Sequence, residues 1–141
     1  MMRVGLDLVE VEEVERALSS LGERYRRRLF SPDEIRQSEA SADPAGCLAE
    51  LFAAKEATLK VLGAPGRGVD WRSVQCRPKD EAAGAGGGTG VVAHLSGRAR
   101  LAARDAGISG IRLSLSRDGG HAMALAVAWG GPDRAQGEEP D

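Results

Sequence analysis

Aromatic residues are scarce in this chain, 4% of the sequence, which leaves too few rings for the stacking platforms that single-stranded nucleic acids demand. Charge of one sign is lacking too. Nineteen basic side chains stand against 21 acidic ones, a formal net charge of −2, so no global positive field favours a phosphate backbone. No apolar run is long enough to span a bilayer, and "MMRVGLDL" begins as a strand without the apolar core of a secretion signal. Cysteine is limited to Cys47 and Cys76, far apart and without metal-ligand spacing. They read most simply as reduced, buried or half-buried thiols of a cytosolic protein. The expectation is a soluble, cytoplasmic, single domain over residues 1–131, engaging neither nucleic acid nor membrane. The polar, proline-containing stretch 132–141 is expected to be disordered.

What is present is a mixed pattern of strands and helices. "MRVGLDL" reads as a short buried strand leading into a helix over 10–21, where Val11, Val14, Leu18 and Leu21 share a face. Glu10, Glu12 and Glu13 suit the positive end of that helix's dipole. "SPDEI" (31–35) is a helix start, with Ser31 as cap, Pro32 at the first position and Glu34 three residues after the cap. A long helix is expected from residue 44 or 45 to Leu62, closed by Gly63 with Pro65 beyond. "WRSVQCRP" (71–78) is a strand candidate, and "AAGAGGGTG" (82–90) a flexible hairpin connection that lacks the ending of a phosphate-binding loop. "VVAHLSG" (91–97) reads as a strand delivering Ser96 as cap for a helix over 97–106, closed by Gly107. "IRLSLS" and "HAMALAVAW" alternate with period two around "RDGG", a hairpin signal. In the second of these, Met123, Leu125, Val127 and Trp129 share one face, and the four alanines opposite imply a helix packed closely against them. Without regular βαβ alternation the class is α+β.

The chemistry concentrates in "FAAKEATLK" (52–60). At about 100° per residue, Phe52, Lys55, Glu56, Leu59 and Lys60 fall on one side of a helix, while Ala53, Ala57 and Val61 keep the other side apolar. A surface Glu–Lys pair is the plain explanation. Asp7, directly after the first strand, is by the same standard a helix cap. Taken together, however, Asp7, Glu56 and Lys60 make another kind of set. Mg²⁺ prefers one or two carboxylates completed by water and substrate phosphates, and a lysine one turn beyond the glutamate would neutralise phosphate charge that the metal does not cover. Lys55 could contact a phosphate or pair with a carboxylate. His94 and His121 are each alone in a strand and add no metal site.

These residues resemble the short bacterial 4′-phosphopantetheinyl transferases, the holo-acyl-carrier-protein synthases. The likeness runs in order through "VGLDLVEVEEV", "RLFSPDEI", "LAELFAAKEATLKVLG", "GVDW", "HLSGRARLAARDAGI" and "LSLSRDGGHAMALAV". It implies a compact α+β unit with an antiparallel sheet against a long helix, assembled as a homotrimer with coenzyme A between neighbouring subunits. It implies transfer of phosphopantetheine from coenzyme A to a serine of an apo acyl carrier protein, of fatty-acid, polyketide or peptide type, with Mg²⁺ as cofactor. By motif position Asp7 and Glu56 would be metal ligands, Glu56 and Lys60 catalytic, and Lys60, Ser116 and Arg117 contacts to the coenzyme. The serine proton would go to Glu56 or to a water, with the water favoured because a metal-bound glutamate is a poor base.

Three positions depart from the family's usual spelling. Glu13 stands where an arginine normally faces the carrier, although "RYRRR" (24–28) could supply basic surface instead. Glu50 and Leu51 replace a glycine and an arginine, and Arg117 replaces a histidine. The alternative these changes leave open is a degenerate paralogue that binds coenzyme A or a carrier without catalysis.

Overall fold

The computed structural model describes residues 1–63, 68–78 and 91–131. Its central element is a helix of nineteen residues, α4 (Pro44–Leu62), bounded as its sequence dictates. Asp43 caps it through a carboxylate that accepts from the Gly46 N–H, Pro44 occupies the first turn, and Gly63 ends it in the left-handed conformation at φ 66°. Before it come β1 (Met2–Glu10), α1 (Val11–Leu21), α2 (Glu23–Leu29) and α3 (Pro32–Glu39). After it come a 3₁₀ turn (Trp71–Ser73), β2 (Val74–Pro78), β3 (Val91–Leu95), α5 (Gly97–Asp105), β4 (Ile108–Asp118) and β5 (His121–Gly130).

The strands form one antiparallel sheet in the order β1-β5-β4-β3-β2. The β4–β5 hairpin turns through Gly119 and Gly120, both at positive φ (55° and 78°), the requirement of a two-residue turn whose twist matches the strands. Ala122, Ala124, Ala126 and Ala128 are fully buried and face α4. Their small side chains let the helix lie close to the sheet, as the pattern of β5 anticipates. Closest of all is Gly5 in β1, where an added Cβ would come within 2.4 Å of the Ala57 carbonyl oxygen. Arg3, two residues earlier, donates to the Val61 carbonyl at 3.1 Å. β1 therefore runs antiparallel to α4 and in direct contact with it.

Several sequence expectations need correcting. β1 is not a short buried strand but a nine-residue edge strand. Only its helix-facing residues, with Gly5 and Val9 at their centre, are covered; Val4 (61% exposed), Leu6 (53%) and Leu8 (62%) lie open on the outer face. The helix expected over 10–21 ends at Leu21 as anticipated, and "RYRRR" lies on the next helix, α2, after Gly22 at φ 55°. The segment "WRSVQCRP" is a strand only from Val74, its first three residues forming the 3₁₀ turn. Ser96 occupies the cap position of α5 without making the side-chain hydrogen bond. The glycine-rich stretch 82–90 and the tail 132–141 lie outside the described residues. Both cysteines are free and buried as expected, and burial pushes the Cys76 thiol up to about 12.

Inside the core lies a feature the sequence did not announce. Lys55 is completely buried, and its Nζ donates to Glu34 Oε1 at 2.8 Å and to the carbonyls of Trp71 (3.0 Å) and Val74 (2.5 Å). Glu34 closes the expected capping box with Ser31 and also accepts from the Cys76 N–H at 3.3 Å. One ion pair thus joins α3, α4 and β2. Phe52 stacks on Trp71 beside it, with ring centroids 5.2 Å apart.

Candidate active site

Three of the five site residues named from the sequence come together where β1 crosses α4. The parity that buries Gly5 turns Asp7 toward the helix as well. Glu56 and Lys60, one helical turn apart, share the facing stripe. Lys60 Nζ sits 3.1 Å from Asp7 Oδ1 and donates to the Leu6 carbonyl at 2.6 Å. Burial raises the proton affinity of Glu56 above that of an ordinary glutamate; the Asp7 carboxylate raises it further, and Lys60 partly opposes both. A buried carboxylate whose charge is disfavoured further by a neighbouring carboxylate is a place that calls for a cation. Lys60, half-exposed, supplies one from the edge.

This donor set suits Mg²⁺. Among the described residues no cluster of three or more histidine, cysteine or acidic side chains is gathered as a metal cage. Two carboxylates completed by water and phosphate oxygens are the donor set this ion accepts, in preference to a closed all-protein cage.

Lys55, although adjacent to Glu56 in sequence, takes no part. Of its two possible roles the structure realises the carboxylate pair, and with no exposed surface it reaches no phosphate.

Ser116 and Arg117 lie elsewhere. Across the sheet Asp7 aligns with Ala124 and Leu115, so Arg117 is two strands over and two residues further, about 12 Å away at standard spacings. The two residues also have opposite parity. Ser116 is exposed on the outer face opposite Met123, and Arg117 is on the helix-facing side at the N-terminal part of α4. There Arg117 donates from Nε to Glu50 Oε1 at 2.6 Å and from Nη1 to Asp43 Oδ2 at 2.8 Å. The sequence reading overlooked Asp43, although aspartate before proline is itself a helix-start signal.

A family model described as the 4′-phosphopantetheinyl transferase superfamily matches residues 3–108. The chain belongs to that superfamily. The holo-acyl-carrier-protein synthase of Desulforudis audaxviator is 41% identical over 133 residues, 94% of this chain and 95% of its own. Among solved structures, the holo-acyl-carrier-protein synthase of Neisseria meningitidis has a TM-score of 0.77 at 25% identity, over 89% of this chain and 96% of that one. An ACPS–CoA complex from Chronobacterium ammoniagenes has a TM-score of 0.74 at 27% identity, over 93% and 98% respectively.

Against the superfamily's pattern, the departures separate by environment. Leu51 is a core residue, 2% exposed. Glu13 is exposed on α1. Glu50 and Arg117, far apart in sequence, contact each other.

Proposed function

We propose that this chain is a magnesium-dependent holo-acyl-carrier-protein synthase, acting in the cytoplasm through one catalytic domain over residues 1–131. It moves the 4′-phosphopantetheine group of coenzyme A to a serine hydroxyl of an apo carrier protein and releases adenosine 3′,5′-bisphosphate. The observation that carries this reading is the convergence of Asp7, Glu56 and Lys60 at the crossing of β1 and α4, in a chain 41% identical to a holo-acyl-carrier-protein synthase.

Asp7 and Glu56 would hold the metal, which when bound polarises the pyrophosphate and offsets charge on the leaving phosphate. Lys60 turns from Asp7 to a phosphate oxygen, a short movement for a side chain already 47% exposed. The serine oxygen forms a new bond to the pantetheine-side phosphorus as the bond to the bridging oxygen breaks, and the bisphosphate departs with that electron pair. The hydroxyl proton passes to Glu56 or to a water beside it. Close fixing of β1 on α4 through Gly5 keeps the carboxylates in register for this step.

A homotrimer is part of the proposal. The outer face of β1 and β5 leaves Val4, Leu6, Leu8, Met123, Leu125 and Trp129 exposed in one patch, more apolar surface than a solitary domain usually presents. Ser116 opens onto that same face, so a neighbouring copy would bring it to a cleft between subunits, where coenzyme A is placed by this reading.

Asp7→Ala and Glu56→Ala should each reduce transfer to a carrier by at least a hundredfold with little change in melting temperature. Lys60→Ala should also weaken coenzyme A binding. Near-normal turnover by either carboxylate variant at millimolar Mg²⁺ would remove the assignment.

A further inference from the structure

Asp7 and Glu56 bring two carboxylates to the crossing of β1 and α4, and the cation that meets them in this structure is a side chain. Lys60 Nζ lies 3.1 Å from Asp7 Oδ1 and donates to the Leu6 carbonyl at 2.6 Å. That carbonyl is open to it for a reason of register. Odd-numbered residues of β1 turn their backbone groups toward β5, as the Gly130 N–H donating to the Met1 carbonyl shows, so Leu6 points its own off the edge of the sheet. Two of the three ammonium donors are therefore used, one on the carboxylate and one on the strand edge. Burial and then Asp7 raise the proton affinity of Glu56, and Lys60 opposes them.

A divalent ion that uses Asp7 meets this arrangement in one of two ways. If the ammonium stays, it shares a carboxylate with the ion and the two positive charges repel at close range. If it leaves, the chain forfeits a charge-assisted hydrogen bond and the donor to Leu6. Free lone pairs on Asp7 do not remove this penalty, because it comes from charge. Either way the metal is bound more weakly than the carboxylates alone would allow. The Asp7 side chain is 17% exposed and that of Lys60 47%, so water screens the pair only in part. A phosphate changes the balance. It offers the third N–H an anionic acceptor, and the exposed side chain can follow it off Asp7.

We propose that Lys60 is the resident counter-ion of this carboxylate pair, holding down the affinity of the donor-free chain for Mg²⁺ and yielding its place as a phosphate of coenzyme A arrives. Metal and donor then enter together, rather than metal first. The inference rests on the transferase reading above, which names the ligands and the donor and sets no order between them.

The test titrates the full chain with Mn²⁺, an ion that shares the preference of Mg²⁺ for octahedral oxygen ligands, and counts the free ion by electron paramagnetic resonance. Titrations are run without coenzyme A and with coenzyme A saturating for each protein, and without a carrier. The proteins are wild type, Lys60→Gln, Lys60→Arg and Glu56→Gln. Without coenzyme A, Lys60→Gln should bind Mn²⁺ about three- to tenfold more tightly than wild type, the scale of a part-exposed ion pair, while Lys60→Arg, which keeps the charge, should stay within about twofold of wild type. With coenzyme A the advantage of Lys60→Gln should shrink below about twofold. Unchanged or weaker binding by Lys60→Gln in the donor-free chain, an equal gain in Lys60→Arg, or an advantage that coenzyme A leaves intact would overturn the proposal. Failure of the transferase reading looks different: Mn²⁺ binding that Glu56→Gln does not weaken, with or without coenzyme A, removes the metal assignment itself and the proposal with it.

Discussion

Replacing Lys55 by methionine removes a buried cation and keeps most of the side chain's volume. The carboxylate of Glu34 would be left with only the N–H groups of Ser31 and Cys76, and the carbonyls of Trp71 and Val74 would each lose a donor. Breaking a buried ion pair from one side costs about 3–5 kcal/mol, because the surviving charge stays buried and uncompensated. A domain of this kind is stable by only about 5–15 kcal/mol. At about 4 °C per kcal/mol for this size the melting temperature should fall by about 12–20 °C. Glu34→Gln should be similarly damaging, since its amide nitrogen would face at least one of the three donors that Glu34 now accepts from, the Ser31 N–H, the Cys76 N–H and the Lys55 ammonium. The double variant Lys55→Met/Glu34→Gln leaves no buried charge, so it should be more stable than the sum of the single losses by at least about 1 kcal/mol. Urea unfolding followed by circular dichroism, with the four proteins compared at one pH, measures all of this. A Lys55→Met loss below about 1 kcal/mol, or strict additivity in the double variant, would refute the claim that the pair is a coupled core element.

Three further outcomes follow from the site and the sheet. Because burial and Asp7 raise the proton affinity of Glu56 in the fold, its contribution favours the folded state at low pH and is lost as pH rises through its elevated titration range; Glu56→Gln should therefore melt higher than wild type at pH 7 without metal, with the difference disappearing below about pH 4. Equal melting at both pH values would show that the fold does not raise the proton affinity of Glu56. Gly5→Ala should displace β1 from the Ala57 carbonyl, costing about 1–3 kcal/mol and lowering transfer, and a variant that is fully stable and fully active would mean the close approach is not needed. Leu6→Asp, at an exposed position, should convert a trimer to monomers in sedimentation, whereas an unchanged mass would dissociate the apolar face from assembly.

How far the sequence foretold this molecule depends on the range of the interactions. α4 was legible from end to end because its stop is local: glycine at the left-handed position, with proline following. The β4–β5 hairpin was legible for the same reason, since two glycines and period-two alternation are enough to specify it. The exposure of β1 was not, because its apolar outer residues look like core until one knows that the sheet is covered on one side only. Asp7, Glu56 and Lys60 could be named in advance from their spacing and the resemblance. Lys55 could not be assigned, since its partner Glu34 lies 21 residues away on another helix and no periodicity links them. Arg117 was expected at a phosphate. Its engagement by Asp43 and Glu50, 74 and 67 residues distant, depends on tertiary proximity that spacing along a chain does not encode.

The central claim is that this chain transfers phosphopantetheine, and intact-mass measurement of an apo carrier protein tests it most directly. The carrier is incubated with the purified chain and coenzyme A, with Mg²⁺ or with a chelator. The account predicts a gain of one phosphopantetheine group on the carrier serine when Mg²⁺ is present, and none with the chelator or with Asp7→Ala. A set of fatty-acid, polyketide and peptide carriers that all kept their apo mass, while the protein was folded and bound coenzyme A, would contradict it and leave a coenzyme-binding paralogue in its place.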